Sequence, residues 1–496
     1  MMIAVQPVIV VFTWMVVAYF VLWNTTQMAM GAAAWLGIWR HEHTRTRRNR
    51  ALAHRLASPP LVSVIVPSYN EGLTIVDSVR ALLALDYEPR EIVVVNDGSS
   101  DDTLAVLRDT FQMLAAPLAY VQPLPTARVR GIYRSIREPG LVVIDKENGG
   151  CKADAINAGV NAAAGGLVLM IDADTVLEPD ALSRAVLPFL EDTTTVAVGG
   201  NIAIANGCRI ENGRITDVAL PRSWLARFQI VEYMRSFLLF RVATAARNAM
   251  VIISGAFGLF LRDTVIAVGG YDRTAIGEDM DLTIRIQQHC RARRQPFRIV
   301  FDPFPLCSTQ APEDVDSLRA QRCRWRRGLL QSLWRHRRLI GNPRYGIVGL
   351  VMLPYIAVFE GVGPILETTG YVITTAAAIG GLLNWPHYRL LIAVSLLFGA
   401  ATTLLAVLMS DIATQRYTTG RDLVLLVAVA ILENFGYRQL NSWWGCVGTV
   451  QAMRGMHGWG TIKRRVFDGE EAALGGTAVG TAAAERAKSA ESTLYK

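Results

Sequence analysis

The sequence predicts an α/β domain on a mixed, mainly parallel sheet, joined to an α-helical membrane region. Three observations predict it. Short buried-strand patterns alternate with helical ones after Leu61. Long apolar stretches flank that part on both sides, the first of them without a charge. The least ordinary polar residues fall where the predicted strands end, which is where open parallel sheets bind ligands. A chain of 496 residues, 51% hydrophobic and 19% charged, with mean hydropathy +0.28, is too long for one ordinary domain and too apolar to be wholly soluble. The net charge of +8 would suit nucleic acid, but the basic residues cluster beside apolar segments. The lipid bilayer is therefore the expected partner, with no nucleic acid. Cys151, Cys208, Cys290, Cys307, Cys323 and Cys446 form no CxxC pair, which predicts neither a zinc site nor a disulfide framework and fits a reducing setting.

Residues 1–39 carry no charged side chain, and about 20 apolar residues span a bilayer as a helix, so they predict one membrane helix. A cleaved leader would need a basic region before the apolar run, and none is there. Arg40, Arg45, Arg47, Arg48, Arg50 and Arg55 mark a basic linker over 40–60, which the positive-inside rule keeps in the cytoplasm. Residues 61–315 read as the cytoplasmic domain. Val62 to Val66, Ile92 to Val95 and Leu167 to Ile171 are strand patterns, and Gly72 to Leu83, Asp101 to Leu114 and Cys151 to Ala164 are helical ones. Amphipathic interface helices follow over 316–342. Apolar stretches near 345–364, 367–384, 388–410 and 421–438 predict about four membrane helices within 343–440. Residues 441–496 are expected to return to the cytoplasm through Lys463, Arg464 and Arg465 and to end in a disordered tail rich in Ala, Gly, Thr and Ser.

Five motifs carry chemistry. Pro67-Ser68-Tyr69-Asn70-Glu71 and Asn96-Asp97-Gly98-Ser99 close the first two strands. Asp172-Ala173-Asp174 closes the third, where alternate residues of an extended segment point the same way. Two such carboxylates suit a hard cation of the Mg²⁺ or Mn²⁺ type that also binds substrate phosphate, although a solvated turn would use the same residues. Lys152 follows a glycine pair at a helix start, where an ammonium and backbone N–H groups meet phosphate. Gly277-Glu278-Asp279 opens another helix; acids there stabilise by capping alone, and Asp279 is also placed to act as a general base. Gln321, Arg324 and Trp325 share one helix face by i, i+3, i+4 spacing, offering a flat indole and a phosphate-binding guanidinium.

In that order the motifs resemble membrane-embedded family 2 glycosyltransferases, and more closely the processive synthases of cellulose, chitin, hyaluronan and poly-N-acetylglucosamine. The resemblance covers roughly Leu61 to Trp334. It implies a GT-A fold and an inverting polymerase that builds a β-linked polysaccharide from UDP-glucose or UDP-N-acetylglucosamine and moves it across a bacterial inner membrane. Donor contacts would come from Pro67, Tyr69, Glu71, Asp97 and Lys152, with Asp172 and Asp174 holding the diphosphate and its Mg²⁺ or Mn²⁺. Asp279 would be the base, beside Glu278. Ser254 and Gly255 would line the acceptor side, and Gln321, Arg324 and Trp325 would close over the donor and hold the growing chain. Export or accessory subunits are compatible with that role. Gly277 departs from the family, many members of which carry Thr there. Two alternatives stay open at this point: a membrane enzyme adding one sugar to a lipid acceptor, and a transporter suggested by Glu360, Glu367 and Glu433 in or near apolar segments.

Overall fold

The computed structural model describes residues 2–55, 58–117, 121–211, 213–381 and 385–456. The predicted tail and Lys463 to Arg465 lie outside the described residues. Among the described residues twelve strands are present: β1 (Val62–Ser68), β2 (Arg90–Asn96), β3 (Met113–Ala116), β4 (Val129–Ser135), β5 (Leu141–Lys146), β6 (Leu167–Met170), β7 (Val176–Leu177), β8 (Thr195–Ile204), β9 (Arg209–Glu211), β10 (Arg214–Asp217), β11 (Gly258–Leu261) and β12 (Arg298–Thr309). Ten form one sheet in the order β3-β4-β5-β2-β1-β6-β11-β8-β12-β7, and β9 pairs with β10. The strands β5, β2, β1 and β6 are mutually parallel, as are β8 and β12, while β4, β11 and β7 run against their neighbours. Val64 lies opposite Ile92 on one side and Leu169 on the other.

Strands covered by helices on both faces have no wet side, so their sequences are continuous rather than alternating apolar runs. Val62, Val64, Ile65, Val66, Ile92 to Val95 and Leu167 to Met170 all lie in the core. The helix read over Asp101 to Leu114 runs only Thr103–Thr110. Gln112 turns the chain with φ of 48°, and Met113 begins the edge strand β3. The first helix extends over Met2–Arg55, straight through the basic segment read as a linker. Residues 40–55 have neither Gly nor Pro to stop it, and Pro59 and Pro60 follow only after its end.

Among the described residues, Val348–Ile379 and Ile392–Thr414 are long and apolar enough to cross a membrane. The pair Gly420–Leu432 and Tyr437–Met453, bent by 53°, makes a third if it is one span. The stretches read separately at 345–364 and 367–384 thus join into one helical path. Its π-helical turn Ile356–Val362 has carbonyls to satisfy, and Arg326 reaches up from the catalytic domain to do so. Its guanidinium donates to the carbonyls of Glu360 and Gly361 and to Thr449 Oγ1 at 2.9 Å.

Candidate active site

The loop after β1 is stitched to the loop after β2. The backbone N–H of Asn70 donates to Ser99 Oγ (3.0 Å), that of Glu71 to Thr103 Oγ1 (2.9 Å) and that of Gly72 to Asp101 Oδ2 (3.0 Å). Gly98 completes the turn with φ of +68°, and a Cβ there would lie 2.6 Å from the backbone N of Asn148, so this approach needs glycine. Asp97 is thereby fixed at the strand end, 6% exposed. Its Oδ1 is paired with Lys146 and accepts from the Gly149 N–H at 3.0 Å. Lys146 is fully buried and also pairs with Asp154 at 2.7 Å. It stands at the end of β5, a strand that the sequence pattern did not separate from its surroundings.

The helix Lys152–Ala162 begins just beyond that network. Lys152 Nζ is paired with Asp172 and donates to the Gly255 carbonyl at 3.3 Å, bridging the β6 end to the segment read as acceptor-binding. Burial works against its ammonium, but Asp172 and Glu278 outweigh that and hold its pKa above the ordinary lysine value. Burial, with Asp172 beside it, pushes Asp174 up to about 6.

Glu278 and Asp279 open the helix Glu278–Ala292. Burial, reinforced by Asp279, pushes Glu278 up to about 7. Burial also raises Asp279, against the backbone N–H of Met280 (2.8 Å) and the charge of Arg241. A carboxylate raised in this way holds a proton more readily, as a general base must. This helix start packs backbone to backbone on the helix Val315–Arg335. A Cβ on Gly277 would lie 3.3 Å from Gly328 C and Cα, a tight backbone contact that gives the departure from Thr at position 277 a steric reason, and a Cβ on Gly328 would meet Gly277 N at 3.0 Å. Gln331 Oε1 accepts from the Ile276 N–H at 2.8 Å, and its Nε2 donates to Thr274 O at 3.0 Å.

One cavity of about 1520 Å³ is lined by all the site residues that the family resemblance implies: Pro67, Tyr69, Glu71, Asp97, Lys152, Asp172, Asp174, Ser254, Gly255, Glu278, Asp279, Gln321, Arg324 and Trp325. It continues past them to Trp23, Phe240, Phe359, Glu360, Pro364, Asn441 and Gly445 on the flanking helices. Glu232, Arg241 and Arg322 also line it. Sequence spacing does not reveal those three, because their partners are distant in the chain.

Asp172 and Asp174 fit a hard divalent cation. They are oxygen donors at alternate positions that both line the cavity, and a dication would offset the burial that raises Asp174. Among the described residues no group of three or more His, Cys, Asp or Glu could hold a metal ion by itself, so the two aspartates would share it with substrate phosphate.

A sheet of this order, with an acid pair at the end of β6 and a buried acid opening a helix beside it, defines a glycosyltransferase of GT-A type. The family described as "Glycosyltransferase like family 2" matches residues 59–328, and the chain belongs to that family. Poly-beta-1,6-N-acetyl-D-glucosamine synthase of Staphylococcus aureus (strain COL) is 29% identical over 267 residues, 54% of this chain and 54% of that protein. The synthase of the same name from Staphylococcus epidermidis is 27% identical over 277 residues, 55% of this chain and 56% of the relative. The chain spans about half the length of the curated relatives it matches. The solved mannosyltransferase PcManGT from Pyrobaculum calidifontis, in complex with GDP-Man and Mn²⁺, aligns with TM-score 0.49 and 19% identity, over 89% of this chain and 99% of that one.

Proposed function

We propose that this glycosyltransferase is an inverting, processive polysaccharide synthase of a bacterial inner membrane. It would polymerise a UDP-activated sugar into a β-linked chain on the cytoplasmic side and pass that chain across the bilayer. The observation that carries this reading is the continuity of one cavity from Asp172 and Asp279, past Trp325, to Glu360, Pro364 and Asn441 on the flanking helices. The names of the two staphylococcal relatives favour N-acetylglucosamine over glucose as the sugar.

In this reading Tyr69 and Asp97 hold the nucleoside, with Pro67 and Glu71 shaping the loop around it. The Lys152 ammonium and the Arg324 guanidinium face the diphosphate and stabilise its charge as it departs. A divalent cation held by Asp172 and Asp174 would add neutralisation of the same leaving group. Gln321 and Trp325 hold the terminal sugar of the acceptor, and Ser254 and Gly255 line its approach. Asp279 takes the proton of the acceptor hydroxyl as that oxygen forms a bond to the anomeric carbon. The bond from that carbon to the diphosphate breaks with its electron pair leaving on the phosphate, which inverts the centre in one displacement. Glu278 stays beside the base and keeps the local charge high. Positioning and electrostatics account for the catalysis, and no covalent intermediate is needed.

The test is UDP release by the purified, detergent-solubilised chain with UDP-N-acetylglucosamine or UDP-glucose and Mg²⁺ or Mn²⁺, with sizing of the product. A β-glycosidase-sensitive polymer made from one donor supports the reading. Turnover ending in a lipid-sized product would replace it with the single-addition enzyme.

A further inference from the structure

Resting on the acceptor role given above to Trp325, we propose that Arg322, Glu232 and Tyr437 are positioning residues that set the indole of Trp325 and so determine how tightly the acceptor is held. Trp325 is 43% exposed and stands in the cavity wall. What lies beneath its ring is a charge: the Arg322 guanidinium, 4.5 Å from the ring centroid. A guanidinium plane is a good floor for an indole only if it is itself immobile.

Immobility comes from two other elements. Arg322 Nη1 pairs with Glu232 Oε1 at 2.8 Å and Nη2 donates to Glu232 Oε2 at 2.9 Å, two parallel bonds that fix the guanidinium plane as well as its place. Glu232 belongs to the interface helix Trp224–Met234. The Tyr437 hydroxyl donates to the same Oε2 at 2.6 Å and accepts from Arg322 Nη2 at 3.3 Å. Tyr437 begins the helix Tyr437–Met453, and its ring stacks on Phe228 with centroids 5.0 Å apart. Arg322 is 9% exposed and Tyr437 4%. The platform under the acceptor is thus built by three helices that meet nowhere near one another in sequence. Glu232 and Arg322 border the cavity, and the role assigned to them and to Tyr437 is to act through Trp325.

The experiment uses the full-length chain in detergent, with Tyr437→Phe, Glu232→Gln and Arg322→Lys, and reads the dissociation constant of a short β-linked N-acetylglucosamine oligosaccharide without donor, together with UDP turnover against both substrates. Tyr437→Phe removes one hydroxyl and preserves packing, so it reports even where the charge variants unfold. The expected result is about tenfold weaker oligosaccharide binding, one positioned contact's worth. The KM for the nucleotide sugar stays unchanged, and kcat at saturating acceptor falls less than about threefold, against the effects expected of a group in the chemistry. Combined with Trp325→Leu, the losses should not add. Losses that add to Trp325→Leu overturn the proposal, as do equal losses in kcat and both KM values, or an oligosaccharide that does not bind the wild-type chain. A wild type that binds oligosaccharide yet makes only single additions overturns the polymerase reading while leaving the platform intact.

Discussion

At the scale of single residues, Asp279 and Gly98 make the sharpest demands. Asp279→Asn keeps the hydrogen bond from the Met280 N–H but cannot accept a proton, so turnover should fall about 10²–10⁴-fold with an unchanged thermal midpoint. A fall in that midpoint would instead assign Asp279 to the fold. Gly98→Ala places a methyl against the backbone of Asn148 at positive φ, a strain of about 1–3 kcal/mol. Because the displaced loop carries Asp97, nucleotide affinity should drop with the thermal midpoint, and UDP titration of the variant reads it. These residues were legible in the sequence because each sits at a strand end or a helix start, where local pattern and chemistry coincide. Lys146 was not. It neutralises two acids from outside their loops, and recognising it needs the register of β5 beside β2. Glu232 and Arg322, 90 positions apart, were illegible for the same reason.

Among the elements, the helix carrying Glu278 and Asp279 depends on a latch within its first turn. Asp281 is 2% exposed; its Oδ1 meets His336 Nε2 at 2.9 Å and its Oδ2 meets Arg285 at 2.7 Å. Burial alone would raise its pKa, but the His336 hydrogen bond and Arg285 outweigh that and hold it below the ordinary aspartate value. Its stabilisation is therefore fully present above the unfolded-state pKa and is lost as pH falls through the depressed one. Asp281→Asn should cost about 2–3 kcal/mol at neutral pH. The difference from wild type should shrink in acid, and thermal unfolding at pH 7 and pH 3 measures it. A difference that grows in acid would contradict the sign of the shift. The strands β1, β2 and β6 were readable as elements because burial on both sheet faces leaves continuous apolar runs, whereas β5 and the shorter antiparallel strands were not. The end of the helix at Thr110 was not, since it hangs on the backbone of Gln112 rather than on a Gly or Pro signal.

For the whole molecule, the cavity joins the catalytic domain to the flanking helices, so blocking its far branch should separate chemistry from elongation. Asn441→Trp, a substitution on the helix Tyr437–Met453 at the cavity wall, should shorten the product while leaving UDP release with a short oligosaccharide within about threefold of wild type. Gel sizing of the product beside a UDP assay decides it, and an unaltered length distribution would take that branch off the polymer's path. The sequence foresaw membrane helices able to form a tunnel and a five-motif domain, but not which residues of each wall a shared interior, because the walls come from segments hundreds of residues apart.

The contact of Gly277 with Gly328 has one more consequence. Two backbones touch there with no side chain between them, and the same pair of segments is bolted further along by Gln331 to Ile276 and Thr274, by Arg335 to Asp272 and by His336 to Asp281. On the function proposed above, Asp279 and Trp325 therefore stand on two segments clamped to each other at successive points along their length. A polymerase built this way would keep a constant gauge between base and acceptor, and after each bond formed the polymer itself would have to slip forward by one unit.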